Sequence, residues 1–144
     1  MYSNTGGLFD PWDTLRNLTH VRISWVDMPD GGRGRTDGER TIWLHRGQQQ
    51  TERRCALAHE LVHLFSGHTG CQEPAVERLV RAHTARLLIS HQQLISALAW
   101  TSSPAELAED LWVTLDVIED RLAGLTASER AHINQELRGH FAAP

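Results

Sequence analysis

His59-Glu60-Leu61-Val62-His63 reads H-E-x-x-H inside a segment whose apolar residues Leu57, Leu61, Leu64 and Phe65 recur at helical spacing. No other stretch constrains the fold as much. Two histidines four residues apart on a helix lie on one face, about one turn distant, so both imidazoles can reach one ion. Glu60 is offset by about 100° around that helix, too far for an ordinary ligand but close enough to hold a water beside the ion. It is placed to be a general base. Leu61 and Val62 inside the motif, with Ala56, Leu57 and Ala58 before it, leave the polar residues in apolar surroundings, and buried polar groups need partners. A metal supplies them. Zinc fits two histidines and a carboxylate, although other divalent ions tolerate the same set.

Catalytic zinc normally takes three protein ligands and leaves one position for water. The pattern H-E-x-x-H-x-x-G-x-x-H would supply a third histidine, but it requires Gly and His where this chain has Ser66 and Thr69. A glutamate from the next helix is the alternative. Glu77 lies far enough past His63 for a tight loop and an antiparallel return, which makes it the favoured third ligand. Glu73 competes, although just before Pro74 a carboxylate is already explained by capping and the helix dipole. His68, His83 and Cys71 remain open. His83 falls on the apolar stripe of its helix and reads as a core or supporting histidine, while His68 could line the cleft without binding metal.

Around this helix the chain reads as α+β. Met1 to Gly7 is polar and glycine-containing, a loose end, and Asp10-Pro11 offers an N-cap and first-turn proline for a short helix with Trp12, Leu15 and Leu18. Val21, Ile23 and Trp25 alternate with polar residues, and Thr41 to Leu44 resumes the pattern after a turn-rich stretch with four glycines. These two segments predict an antiparallel β-hairpin with a long, mobile tip. The helix of the motif starts at Thr51 as its cap and ends at Gly67 in a left-handed conformation. Pro74 opens a second helix, ending near Ser90, with Val76, Val80, His83 and Leu87 on one stripe. Capping boxes at Ser90/Gln93, Ser103/Glu106 and Thr126/Glu129 predict further helices, so the sheet is followed by about five. The expected architecture is a small antiparallel sheet packed on the motif helix and the glutamate helix, with an all-helical C-terminal part. It forms a single domain, 1–144, divided into a zinc-site core over 20–90 and a helical subdomain over 91–144.

Composition narrows the partners. With 144 residues, 40% hydrophobic and 22% charged, the chain can bury a real core. Its net charge is -4 and all 14 basic residues are arginine, so no basic tract coats a phosphate backbone. Residues 105–125 have the outline of a helix-turn-helix, yet the second helix carries Asp116, Glu119 and Asp120 against Arg121 alone. Direct nucleic-acid binding is not expected. Two cysteines, no apolar run of membrane-spanning length and no signal-like N-terminus lead to the expectation of a soluble, cytoplasmic protein.

The segment Arg54 to Phe65, the Glu77 helix with Ala82, Ala85, Arg86, Leu87, Leu88 and Ile89, the Thr41 to Leu44 strand and the later Leu107 to Thr114 with Ile118 to Leu122 together resemble the ImmA/IrrE family of small gluzincin-like metallopeptidases of bacteria, phages and mobile elements. The resemblance covers roughly residues 20 to 125 and implies His59, His63 and Glu77 as zinc ligands and Glu60 as base. It further implies a protein substrate, a regulatory protein such as a phage or mobile-element repressor. Two departures stand out. Ser90 replaces the usual proline and Arg81 stands where Asp or Asn often supports the ligand-bearing turn, a change that bears on metal affinity more than on fold. The alternative is a non-catalytic zinc-binding sensor or adaptor acting through protein contacts. For the enzyme, an extended substrate strand is expected to lie alongside the Val21–Val26 and Thr41–Leu44 hairpin, with selectivity from docking on the C-terminal helices.

Overall fold

A computed structural model of the chain describes residues 4–5 and 8–142. The loose end expected over Met1–Gly7 lies largely outside the described residues; within them Asn4–Thr5 (β1) pairs antiparallel with Leu8–Phe9 (β2). Helix α1, Pro11–Arg16, begins as its sequence requires, with Asp10 Oδ1 accepting from the Trp12 N–H at 2.9 Å. Strands β3 (Arg22–Val26), β4 (Gly34–Thr36) and β5 (Thr41–His45) form one sheet in the order β3-β5-β4. Six helices follow: α2 (Gln50–Phe65), α3 (Pro74–Leu88), α4 (His91–Leu98), α5 (Pro104–Leu111), α6 (Leu115–Ala123) and α7 (Ala127–Ala142). The fold is α+β with a helical C-terminal part.

The hairpin does not form. β3 and β5 pair in parallel, Arg22 opposite Thr41 through Val26 opposite His45, and the sheet is mixed. The reason lies in the stretch between them, which contains a strand of its own. Asp37 Oδ1 accepts from the N–H groups of Glu39, Arg40 and Thr41 at 2.9–3.0 Å, closing a tight turn that folds β4 back antiparallel onto β5. β4 thereby takes one edge of β5, and β3 reaches the other edge running the opposite way to a hairpin partner. Gln48 Nε2 ties the other end of the tip by donating to the carbonyls of Arg33 and His45, each at 2.9 Å.

Alternation along β5 points Ile42 and Leu44, both fully buried, at Leu57 and Leu61 of α2. A second, larger cluster joins Cys55 and Ala58 of α2 and Ala85 and Leu88 of α3 to Leu94, Leu107, Ile118 and Ile133. Burial of such side chains contributes about 1.5–3 kcal/mol each. Three further details depart from expectation. α2 starts at Gln50 with Gln49 as N-cap, two residues before the cap expected at Thr51, and the Gln49 N–H donates to Glu52 Oε1 at 3.2 Å. On α3 the buried stripe is Val80, Thr84, Ala85 and Leu88, which leaves His83 exposed and outside the core. Thr84 is tolerated inside because its hydroxyl donates to the Val80 carbonyl at 2.7 Å. Finally, Arg121 of α6 is buried to 2% exposure, donating from Nε to the Ile89 carbonyl at 2.8 Å, where the end of α3 leaves acceptors without helical partners. The capping boxes at Ser90/Gln93 and Thr126/Glu129 are formed as their residues predict, while at Ser103 the hydroxyl accepts from the Glu106 N–H. Among the described residues, no helix is long and apolar enough to cross a membrane.

Candidate metal centre

α2 presents His59 and His63 from successive turns, their Nε2 atoms 3.2 Å apart. α3 returns antiparallel through the loop that ends at Pro74 and brings Glu77 against both: Oε1 lies 3.1 Å from His63 Nε2 and Oε2 lies 3.4 Å from His59 Nε2. A tetrahedral zinc with ligands at about 2.0–2.1 Å requires ligand atoms about 3.3 Å apart. The separation of the two imidazoles is close to that figure, each Glu77 oxygen lies at about that distance from one of them, and one donor atom from each residue lies within 4.8 Å of the others, so the donor set fits such an ion. Glu77 sits in the first turn of α3, where the helix dipole favours a carboxylate. Glu73 occupies the exposed N-cap, and among the described residues His59, His63 and Glu77 are the one group of three metal-capable side chains close enough to share an ion. Cys71 lines the cleft beside them without joining the group.

Burial holds both imidazoles below their ordinary pKa, with the neighbouring His63 reinforcing the effect at His59 and Glu77 opposing it at both. The neutral imidazole is the form that ligates a metal. Glu60, on the adjacent face, is buried and pushed up to about 8 by desolvation, with the Glu77 charge adding to it and Arg35 acting against it. A buried carboxylate in that position is stabilised by a cation beside it. Gly34 of β4 lets the edge strand approach closely, since a Cβ there would meet Glu60 Cγ at 3.0 Å.

The group opens into a cleft of about 380 Å³ walled by Arg35, Thr36 and Trp43 of the sheet. A recess of about 350 Å³ shares Gly34, His59 and Glu60 with it and extends to Arg81, Asp116 and Asp120. Arg33 closes the far side on Asp116 at 3.1 Å. β5 is central, so the sheet edge that faces the cleft is β4. The hairpin pair expected to flank a substrate does not offer that edge. Arg81 lies near His59 and disfavours its charged form.

One participant is marked only indirectly in the sequence pattern. His68, which spacing alone leaves without a role, has its Nδ1 2.9 Å from His63 Nδ1. Its signal is Gly67, the left-handed residue that turns the chain back over the last turn of α2.

Comparison with known proteins adds one match: the family model for the IrrE N-terminal-like domain, Peptidase_M78, covers residues 19–123. Searches of curated proteins and of solved structures returned no match.

Proposed function

The chain belongs to the IrrE N-terminal-like family of metallopeptidases, and from that membership we propose that it is a zinc-dependent endopeptidase in which His59, His63 and Glu77 hold the ion and Glu60 is the general base. The observation that carries the reading is the convergence of three donor groups, 3.1–3.4 Å apart, at a cleft that also contains a buried carboxylate. Bound there, zinc would supply Lewis acidity, lowering the pKa of a coordinated water to about 7 and polarising a carbonyl. The protein side of the chemistry is local. Glu60 accepts a proton from the attacking water and can return it to the leaving amine.

The free edge of β4 would align an extended substrate by main-chain pairing, which gives geometry with little sequence specificity. Selectivity then rests on contacts elsewhere. The substrate class proposed is a folded regulatory protein cut in an exposed linker, such as a phage or mobile-element repressor, an expectation that follows from the family resemblance. DNA binding by α5 and α6 is disfavoured, because Asp116, Glu119 and Asp120 share α6 with an Arg121 that is buried.

Glu60→Gln tests the reading. The variant should keep its fold and bind one zinc, while hydrolysis falls by at least about 10²-fold because an amide cannot take the proton. Undiminished cleavage would remove Glu60 from the mechanism. Zinc binding with no cleavage in wild type, and cellular function indifferent to Glu60→Gln, would favour the sensor reading.

A further inference from the structure

We propose that His68 is a positioning residue of the metal centre, fixing the tautomer and ring orientation of His63 by accepting a hydrogen bond from its Nδ1–H. The inference rests on the reading of His59, His63 and Glu77 as the metal-binding group. His63 directs Nε2 at that group, 3.2 Å from His59 Nε2 and 3.1 Å from Glu77 Oε1. A neutral imidazole that ligates through Nε2 carries its one proton on Nδ1. That proton points at His68 Nδ1, 2.9 Å away, with the two rings edge-on at 62°. His68 must therefore accept at Nδ1 and carry its own proton on Nε2.

Backbone geometry makes this contact a consequence of how α2 ends. Gly67 takes φ +73°, its N–H donates to the Leu64 carbonyl at 3.2 Å, and the His68 N–H donates to the His63 carbonyl at 3.0 Å. These are the paired bonds of a Schellman motif, which brings the second residue past the helix over the third residue from its end. That position usually carries an apolar contact. Here it carries two imidazoles. The turn is buttressed from the sheet side, where Gly38 lies so close that a Cβ on it would be 3.0 Å from the His68 carbonyl carbon and nearer still to its oxygen. His68 is thus held in place by backbone on both sides.

A neutral acceptor also suits the charges. Carboxylates commonly orient metal-bound histidines. Here a third carboxylate beside Glu60 and Glu77 would raise the cost of ionising Glu60 further, and an imidazole supplies the acceptor without that charge.

The test uses the full chain and zinc itself. Zinc affinity is measured by competition with a chromophoric chelator for wild type, His68→Ala and His68→Asn, and visible spectra are recorded for the cobalt-substituted proteins. Asparagine Oδ1 can stand where His Nδ1 stands and can accept the same bond. His68→Ala should weaken zinc by about 10- to 100-fold and alter the cobalt bands, whereas His68→Asn should return to within about threefold of wild type with wild-type bands. Should the alanine variant not fold, His68→Leu keeps the side-chain volume and carries the same comparison. The proposal is overturned if the variant without an acceptor binds zinc like wild type with an unchanged spectrum, or if His68→Asn is as weak as it. His59→Ala separates this from the premise: if wild type binds one zinc and His59→Ala does not, the metal group stands whatever His68 does. A wild type that binds no zinc would overturn both.

Discussion

Gly38→Ala is the sharpest probe of how the sheet supports the candidate metal centre. Gly38 adopts φ +80°, where an alanine costs about 1–2 kcal/mol. Its Cβ would meet the backbone of His68, 3.0 Å from the carbonyl carbon and closer to the oxygen, and Thr69 Cγ2 at 3.1 Å. Backbone cannot swing away as a flexible side chain can, so the 68–69 turn has to retreat by roughly half an ångström, an overpacking cost of about 1–3 kcal/mol. The combined loss is about 2–5 kcal/mol. Gly31→Ala is the control, because Gly31 has the same φ of +80° with open space for 4 Å around the position an alanine Cβ would take, and should lose only the conformational part. Urea unfolding of the zinc-free proteins, followed by circular dichroism, should show a midpoint lower by about 1–2.5 M for Gly38→Ala at an unchanged slope of about 2 kcal/mol/M. Zinc affinity should fall as well, since the displaced turn carries His68. Equal stability losses in the two variants, with unchanged zinc affinity in Gly38→Ala, would refute the buttressing argument.

Glu77→Ala should weaken zinc far more than Glu73→Ala in the same chelator competition, since Glu77 contacts both histidines and Glu73 sits at an exposed helix end; equal weakening would sink the ligand assignment. The bonds from Arg86 and from the Thr126 backbone hold Glu129 well below the usual carboxylate range, so its stabilisation is complete above the unfolded value of about 4.3 and is lost as pH falls through the lower folded value. Glu129→Gln should therefore be less stable at neutral pH by roughly 1 kcal/mol in chemical denaturation, with the gap to wild type closing below about pH 4; a gap independent of pH would contradict the pairing. Trp112 sits exposed at φ 60°, so Trp112→Asn should gain roughly 0.5–1 kcal/mol. A loss on melting would mean that the indole's contact at the recess of Phe9 and Trp12 outweighs its backbone cost. Deleting residues 105–144 would strip Leu107, Ile118 and Ile133 from the cluster that holds Ala85 and Leu88 of α3, and should abolish tight zinc binding; a truncated chain with wild-type affinity would show that the zinc-site half stands alone.

The pair His59 and His63 could be read from sequence because four residues of helix is a fixed geometry, independent of everything else in the chain. Glu77 was nearly as accessible, since Pro74 marks where the return helix begins. The sheet was harder. Gly34-Arg35-Thr36 is three residues, polar and led by glycine, and carries no alternation that marks a strand. Yet it decides the pairing of β5, and with it which edge faces the cleft. His83 illustrates a different loss. Helical spacing puts it on a stripe with Val76, Val80 and Leu87, but the stripe that α3 buries is turned by the demand that Glu77 face α2, and His83 rotates outward. His68 required one step more: Gly67 signals the end of α2, but only the hydrogen-bond pattern of that end shows where the following side chain comes to rest.

The motif helix has no free face. Leu57 and Leu61 turn towards Ile42 and Leu44 of the sheet, and Cys55 and Ala58 turn towards the C-terminal helices. His59 and His63 face Glu77, and Glu60 lies beneath β4. A helix apolar on two sides and polar on the others is stable only if each polar side meets a partner. α3 supplies one and is itself held from behind: Arg121 bonds to its last turn at Ile89, and Arg86 bonds across to Glu129 and to the Gly124 carbonyl. The position of Glu77 against the two histidines is therefore set jointly by the sheet that anchors α2 and by the C-terminal helices that anchor α3. Loosening either apolar cluster should register at the candidate metal centre before it registers as global unfolding, because three donors that must meet within a few tenths of an ångström tolerate less displacement than a hydrophobic contact does.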